Sequence, residues 1–358
     1  MTADAALPDE MPVAVYRGVG DVVIEPRSVP APGPGQVLAA VSHCGVCGSD
    51  LHMMVEGWGK PGYVGGHEWT GTIAAVGPDV GTWHVGDQVV GGPSPKCGRC
   101  RRCLEGRPSQ CENRQGDIAH DEHQGAFAAY ILLDERSLVA LPDGISMRDA
   151  ALAEPLAVAL HGITRSGLVD GDRALVIGAG PIGALTIAAL VARGNAVVAV
   201  EPAPARAELA AQLGAERVLH PDDLQLFPMW EPERISDLAV DVVLECSGKK
   251  AAIEAGFNQL RRGGRLVMVG AGIEPPTFDP NRMLLNELEV CGSFVYDADG
   301  FERALELLAS GRLPTDLLID PDDVPLDRLP EAMEGLATGR IAGKAMVVPR
   351  LAGDPKES

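Results

Sequence analysis

At 358 residues the chain is long enough for two hydrophobic cores, and 46% hydrophobic against 22% charged residues is globular composition rather than disorder. Its formal charge of −20 repels phosphates, which argues against nucleic acid or an anionic membrane as partner. No apolar run is long enough to span a bilayer, and Met1 to Pro12 lacks the basic and apolar regions of a secretory signal.

From residue 12 to about 150, short β segments are punctuated by Gly and Pro. Val22–Ile24, Val37–Val41, Thr70–Val76 and Asp87–Val90 read as strands, and Pro30–Gly35 as a loop. From Arg173 the grammar changes. A buried strand, Ala174–Ile177, runs into Gly178, and an apolar helix follows over Pro181–Arg193. The strand Ala196–Val200 ends at Glu201 and precedes an Ala/Leu helix, Ala205–Leu213. Further strands are expected at Val240–Glu245, Arg265–Val269 and Leu288–Gly292, with a helix over Lys250–Arg261 between the first two. A helix at Phe301–Ser310, a loop-rich tail and a strand at Lys344–Val348 close the chain. Alternating strands and helices predict a doubly wound parallel sheet, so the fold class is α/β. The expected organisation is a β-rich domain, 1–155 with 294–358, interrupted by a nucleotide-binding domain over 156–293.

The sequence GAGPIG follows the strand at Ala174–Ile177 and opens the next helix. Gly178 permits a tight turn, Gly180 lets the backbone approach a pyrophosphate, and Gly183 permits close helix–strand packing. Pro181 and Ile182 begin the helix, whose N-terminal amides and dipole favour the phosphates. Alone, such a motif is weak. Here both flanking strands and the helix accompany it, and Glu201 stands where an acid accepts from adenosine ribose hydroxyls. That carboxylate repels a 2′-phosphate and favours NAD over NADP, while Arg206 is the residue that could instead hold the phosphate.

Cys97, Cys100, Cys103 and Cys111 form C-x2-C-x2-C-x7-C in a Gly/Arg/Pro-rich stretch without strong periodicity. Four such thiolates make a closed tetrahedral zinc site that folds a polar loop; an iron–sulfur cluster or redox thiols are the alternatives. Reduced, metal-bound thiols suit the cytoplasm better than a disulfide framework does. A second group is dispersed: Cys47 in CGSDLH, His67 and Glu68 in GGHE, and Glu154 in AEPL, just before the helix leading into the nucleotide domain. Separately these would be a buried thiol, a satisfied histidine and solvated acids.

Taken together, GVCGSDLH at 45–52, GHEWTG at 66–71, VGDQV at 85–89, the four-cysteine loop, AEPLAVALHG at 153–162, GAGPIG and ECSG at 245–248 resemble the zinc-containing medium-chain dehydrogenases. The resemblance runs from about residue 12 to 349 and is clearest to the branch of sorbitol, threonine and 2,3-butanediol dehydrogenases. It implies a GroES-like catalytic domain, a Rossmann domain and two zinc ions, one catalytic and one structural. It also implies a small alcohol or ketone as substrate and a homodimer or homotetramer, often formed through the edge strand near Leu288–Gly292. Catalytic zinc would take Cys47 and His67, with Glu68 or Glu154 as the carboxylate ligand. One thiolate, one imidazole and one carboxylate leave zinc neutral and Lewis-acidic. Cys44 lies outside the motif's register and is expected to be a buried thiol.

The resemblance further implies a proton relay from Ser49 to His52 through the cofactor ribose, and Asp50 as the acid orienting His67. Polyol enzymes of this branch carry Arg-Tyr after Ser-Phe, whereas this chain reads Ser293-Phe294-Val295-Tyr296. Met53, Met54, Trp58 and Phe127 are candidates for a more apolar pocket. Loss of the arginine favours a secondary alcohol or vicinal diol over a sugar alcohol. A polyol, amino-alcohol or cyclitol dehydrogenase is the alternative, and a non-catalytic nucleotide-binding protein a more distant one.

Overall fold

The computed structural model describes residues 7–54, 56–92, 97–113 and 125–350, so the final eight residues of the expected first domain lie outside it. Two sheets organise the chain. The first is a largely antiparallel sheet of seven strands around Gln36–Gly45, which pairs with Glu68–Val76, Tyr130–Asp134 and Met346–Val348. Beside it, Glu10–Gly18 and Asp21–Ser28 form a hairpin whose Val13, Val15 and Tyr16 enter the same core.

The second sheet has six parallel strands, a consequence of composition. RALVI at Arg173–Ile177 and AVVAV at Ala196–Val200 are near-continuous apolar runs, as strands buried on both faces require. In space the order is Arg217–Leu219, Ala196–Val200, Arg173–Ile177, Val240–Glu245, Leu260–Met268 and Glu289–Gly292. The direction of winding reverses between Arg173–Ile177 and Val240–Glu245. In an open α/β sheet that switch point leaves a ligand crevice beyond the strand ends.

Helix Ala153–Ser166 joins the two halves. It packs on the helices Pro181–Ala192 and Gly300–Ala309, on two strands of the parallel sheet, and on Glu68–Val76 of the other sheet. Glu154 therefore lies in its first turn, not ahead of it as the sequence suggests. The tail is also more ordered than expected. Leu329–Ala337 is a helix whose Leu329, Ala332, Met333 and Leu336 fill the first core at three- and four-residue spacing, and Thr315–Leu318 adds a single turn. Pro330 and Gly335 disguise the longer element, although Pro at a first turn is compatible with a helix. The strand at Leu260–Met268 begins earlier than the expected Arg265, with a register irregularity against Val240–Glu245.

An ion pair pins the tail to the first sheet. Asp323 accepts from Arg148 Nε at 2.8 Å and lies 3.7 Å from His43 Nε2. Those two partners, His43 first, hold its carboxyl down to about 2 against the effect of burial. A carboxyl lowered by folding contributes stability above its ordinary value and loses it as pH falls towards the folded one. Discounted for solvent screening, Asp323→Asn should cost about 1 kcal/mol at neutral pH. In urea denaturation, the gap to wild type should close between about pH 4 and pH 2.

Candidate metal centres and nucleotide crevice

The four sulfurs of Cys97, Cys100, Cys103 and Cys111 lie within 4.8 Å of one another. Cys97–Cys103 and Cys100–Cys111 are 3.9 and 4.0 Å apart, far beyond a disulfide's roughly 2.05 Å. A tetrahedron with Zn–S bonds of about 2.3 Å has edges of about 3.8 Å, so the spacing fits zinc. The peptide also offers N–H groups to sulfur: Cys100 N–H to Cys97 (3.3 Å), and Cys103 and Glu112 N–H to Cys100 (3.5 Å each). Backbone N–H at Arg99, the Asn113 amide and Cys100 N–H lower the Cys97 thiol to about 5, whereas burial pushes Cys103 up to about 12. Four thiolates together need a cation. The stretch is not wholly irregular, since Arg101–Leu104 forms a helical turn capped by Cys100, and Pro108–Gln110 a 3-10 turn.

This lobe touches the joining helix through a polar bridge. Buried Ser109 Oγ donates to Asp297 Oδ1 at 2.9 Å, and the other Asp297 oxygen faces His161 Nδ1 at 3.6 Å. His161 lies seven residues, or two turns, after Glu154 on the same helix.

The dispersed residues also converge. Helix Gly48–Met54 begins just after Cys47, and His67 and Glu68 stand at the start of Glu68–Val76. Ligand atoms of Cys47, His67 and Glu68 lie within 4.8 Å of one another. The Glu154 carboxyl stands outside that cluster but acts on His67 by its charge. Burial works against a charged His67, yet the Cys47, Asp50 and Glu154 charges outweigh it and raise its pKa well above the ordinary value. Burial also raises Glu154 to about 7, with His67 opposing. An anion-rich donor set, half-buried at Cys47 and His67 and buried at Glu68, fits a divalent cation.

Asp50 faces His67 by charge rather than by a hydrogen bond. Its Oδ1 lies 3.9 Å from His67 Nδ1, beyond hydrogen-bond reach. Asp50 instead accepts from Cys47 N–H at 3.0 Å and Gly66 N–H at 3.3 Å, tying together the two segments that carry Cys47 and His67. Ser49 Oγ lies 3.4 Å from His67 Nε2.

No motif marks Lys344 as part of this site. Its Nζ donates to Glu68 Oε1 at 2.8 Å, lies 2.7 Å from Oε2, and reaches the Val46 carbonyl at 3.2 Å. Both side chains are buried. Burial disfavours the ammonium, but Glu68 first and then Cys47 hold its pKa above the ordinary lysine value. A lysine heading an apolar strand reads as a solvated strand end; only the pairing shows otherwise.

At the switch point Gly178 adopts φ +86°, and a Cβ on Gly183 would lie 1.8 Å from the Gly178 carbonyl oxygen. Both positions exclude a side chain. Gly180 caps the helix at Pro181–Ala192, with Pro181 and Ile182 in its first turn. Glu201 is buried, accepting from Ala179 N–H (2.7 Å) and Ala203 N–H (2.9 Å), so it braces the glycine turn. Arg206 overlooks Gly180 but is tied to the tail through the Leu336 carbonyl at 2.6 Å.

The apolar pocket candidates divide. Met54 and Phe127 belong to the first core and Met53 is buried, so the three are packing residues, while Trp58 is exposed. Cys44 is buried, and burial raises its thiol well above the ordinary value. Val295 takes φ +45°, a left-handed conformation unusual for a β-branched residue and costing about 1–3 kcal/mol. Next to it, burial and then the Glu154 charge raise the Tyr296 hydroxyl well above its ordinary pKa.

A glycine turn at the switch point of a parallel sheet, in one chain with a thiol–imidazole–carboxylate cluster and a four-thiol lobe, defines a zinc-binding dehydrogenase. Comparison with known proteins agrees. Residues 33–143 match the family described as alcohol dehydrogenase GroES-like domain, and residues 181–310 that described as zinc-binding dehydrogenase. Sorbitol dehydrogenase of Bacillus subtilis is 35% identical, covering 92% of this chain and 94% of its own. Among solved structures, 2R,3R-butanediol dehydrogenase from Bacillus subtilis superposes with TM-score 0.82 at 32% identity, covering 95% of this chain and 100% of the other. Acetophenone reductase from Geotrichum candidum in complex with NAD gives TM-score 0.83 at 27% identity, covering 96% and 98%. The chain belongs to the zinc-dependent medium-chain dehydrogenase family, with a GroES-like domain and a Rossmann domain. It is a zinc-dependent oxidoreductase of CH–OH groups that uses a nicotinamide nucleotide.

Proposed function

We propose that the chain is an NAD-dependent dehydrogenase of a secondary alcohol or vicinal diol, with Cys47, His67 and Glu154 holding the catalytic zinc. The observation that carries this reading is the convergence of Cys47 and His67 in a half-buried, anion-rich site. Glu68 stands closer than Glu154, but Lys344 pairs with it directly, whereas among the described residues Lys344 acts on Glu154 by its charge without an ion pair. When bound, zinc supplies Lewis acidity to a hydroxyl and the nicotinamide a hydride acceptor. Cys97, Cys100, Cys103 and Cys111 hold a second, closed zinc site.

The protein's own groups do the rest. Asp50 keeps the Cys47 and Gly66 backbones in register, so the donor atoms stay converged. Ser49 and His52, three apart on helix Gly48–Met54, share a face and carry the hydroxyl proton towards solvent. Gly178, Gly180, Pro181, Ile182 and Gly183 form the pyrophosphate turn. Glu201 orients the adenosine ribose and selects NAD, while Arg206 beside the turn is engaged by the Leu336 carbonyl.

Val295 in place of an arginine supports a substrate with fewer hydroxyls. The likeness to a sorbitol dehydrogenase favours a second reading, a polyol dehydrogenase. A panel of secondary alcohols, vicinal diols and sorbitol, with NAD and NADP and a chelator control, decides between them. The expected result is chelator-sensitive reduction of NAD, faster with alcohol or diol. Preference for sorbitol establishes the second reading, and preference for NADP removes the role given to Glu201.

All eight cysteines are free, which supports a reducing compartment such as the cytoplasm. Among the described residues Glu289–Gly292 is an edge strand paired on one side, which supports a homodimer or homotetramer built on it. Among the described residues no helix is long and apolar enough to cross a membrane.

A further inference from the structure

Beyond the end of helix Gly48–Met54 the chain folds back on itself. The His52 carbonyl accepts from both Glu56 and Trp58 N–H at 3.2 Å, and Gly59 N–H reaches the Met53 carbonyl at 3.1 Å. Gly57 makes the reversal at φ +82°, where a Cβ would also lie 2.9 Å from Val19 Cγ2. Two side chains are thereby brought onto the His52 ring. Glu56 Oε2 lies 2.8 Å from Nδ1, and the Trp58 ring stacks against the imidazole with centroids 4.6 Å apart and planes 15° from parallel.

Ring orientation and ring chemistry are both set by these contacts. Stacking on Trp58 restricts tilt, and the Glu56 hydrogen bond fixes rotation within that plane. An ionised carboxylate only accepts, so a neutral imidazole bonded to it must carry its proton on Nδ1. The opposite edge then presents Nε2 as a lone pair. Among the described residues, Glu56 is the only carboxylate within ion-pair distance of this ring. The pair is partly open to solvent, with His52 21% and Glu56 33% exposed, which leaves a route for a proton out of the site.

We propose that Glu56 is a positioning residue for the relay: it holds His52 in the Nδ1–H tautomer, with Nε2 free to accept the substrate's proton. This rests on the reading of His52 as the relay's terminal base. Proton balance follows directly. Nε2 gains the proton released by the hydroxyl, the ring becomes a cation facing Glu56, and the same proton then leaves to water.

Two arms test it on the full-length, zinc- and NAD-loaded protein. In the first, histidines are labelled with 15N, the His52 signal is assigned by loss in His52→Gln, and ring nitrogen shifts are read where the ring is neutral. Wild type and Glu56→Gln, whose side-chain carbonyl still accepts, should show Nδ1–H; Glu56→Ala should move the ring substantially to Nε2–H. The same tautomer in Glu56→Ala as in wild type overturns the proposal. In the second arm, Glu56→Ala should lower kcat several-fold with KM for alcohol and NAD unchanged, Glu56→Gln should restore most of it, and Glu56→Ala should add nothing in a His52→Ala background. A full Glu56→Ala effect without His52 overturns positioning through His52. If His52→Ala alone leaves turnover intact, the relay reading falls, and the tautomer arm still decides what Glu56 does to the ring.

Discussion

Replacing Cys47 with alanine is expected to abolish alcohol-dependent NAD reduction, by at least roughly 1000-fold, while NAD affinity changes less than about twofold. The asymmetry follows from architecture. Cys47 precedes helix Gly48–Met54, in the half of the chain built on the antiparallel sheet, whereas the glycine turn and Glu201 belong to the parallel sheet. Metal analysis should find one zinc per chain instead of two, because the four-thiol lobe does not depend on Cys47. Glu154→Gln should lose the same zinc. Turnover that survives in the Cys47 variant, or unchanged zinc content, would remove Cys47 from the metal site and with it the proposed chemistry.

Replacing Lys344 with methionine should destabilise the protein by about 3–5 kcal/mol, measured by chemical denaturation at neutral pH. The substitution keeps most of the apolar stem but leaves the Glu68 carboxylate buried beside Asp50 and Glu154 without its ion-pair partner. Removing one member of a buried pair is costly chiefly because the other remains charged. The double variant Lys344→Met/Glu68→Gln should therefore recover most of the loss. A single variant as stable as wild type would show that another cation balances Glu68.

Much of this was legible in the residues because period and burial coincide. RALVI, AVVAV and VDVVLE are apolar where a parallel strand is covered on both sides, and GAGPIG sits where one ends and a helix begins. The four cysteines are local, so their spacing nearly determines their geometry. What stayed hidden depends on contacts distant in sequence. Lys344 meets Glu68 across 276 positions, and Arg206 meets the Leu336 carbonyl across 130. Neither Lys344 nor Leu336 carries a local mark. Asp50 stands beside His67 at ion-pair distance, yet its hydrogen bonds go to the Cys47 and Gly66 peptides, a division that no spacing rule reveals. Met54 and Phe127 look like pocket residues only until packing places them in the core.

The bridge from Ser109 through Asp297 towards His161 bears on how the protein matures. A polar loop that orders around four sulfurs acquires its shape when metal arrives, because it has little apolar surface of its own to bury. Ser109 lies inside that loop, so its hold on Asp297 forms with it, and Asp297 in turn stands against the helix whose first turn carries Glu154. A chain made under zinc starvation would lack this brace on one side of the catalytic centre even if an ion later reached Cys47 and His67. Order in the distant lobe is thus felt at the helix that carries Glu154.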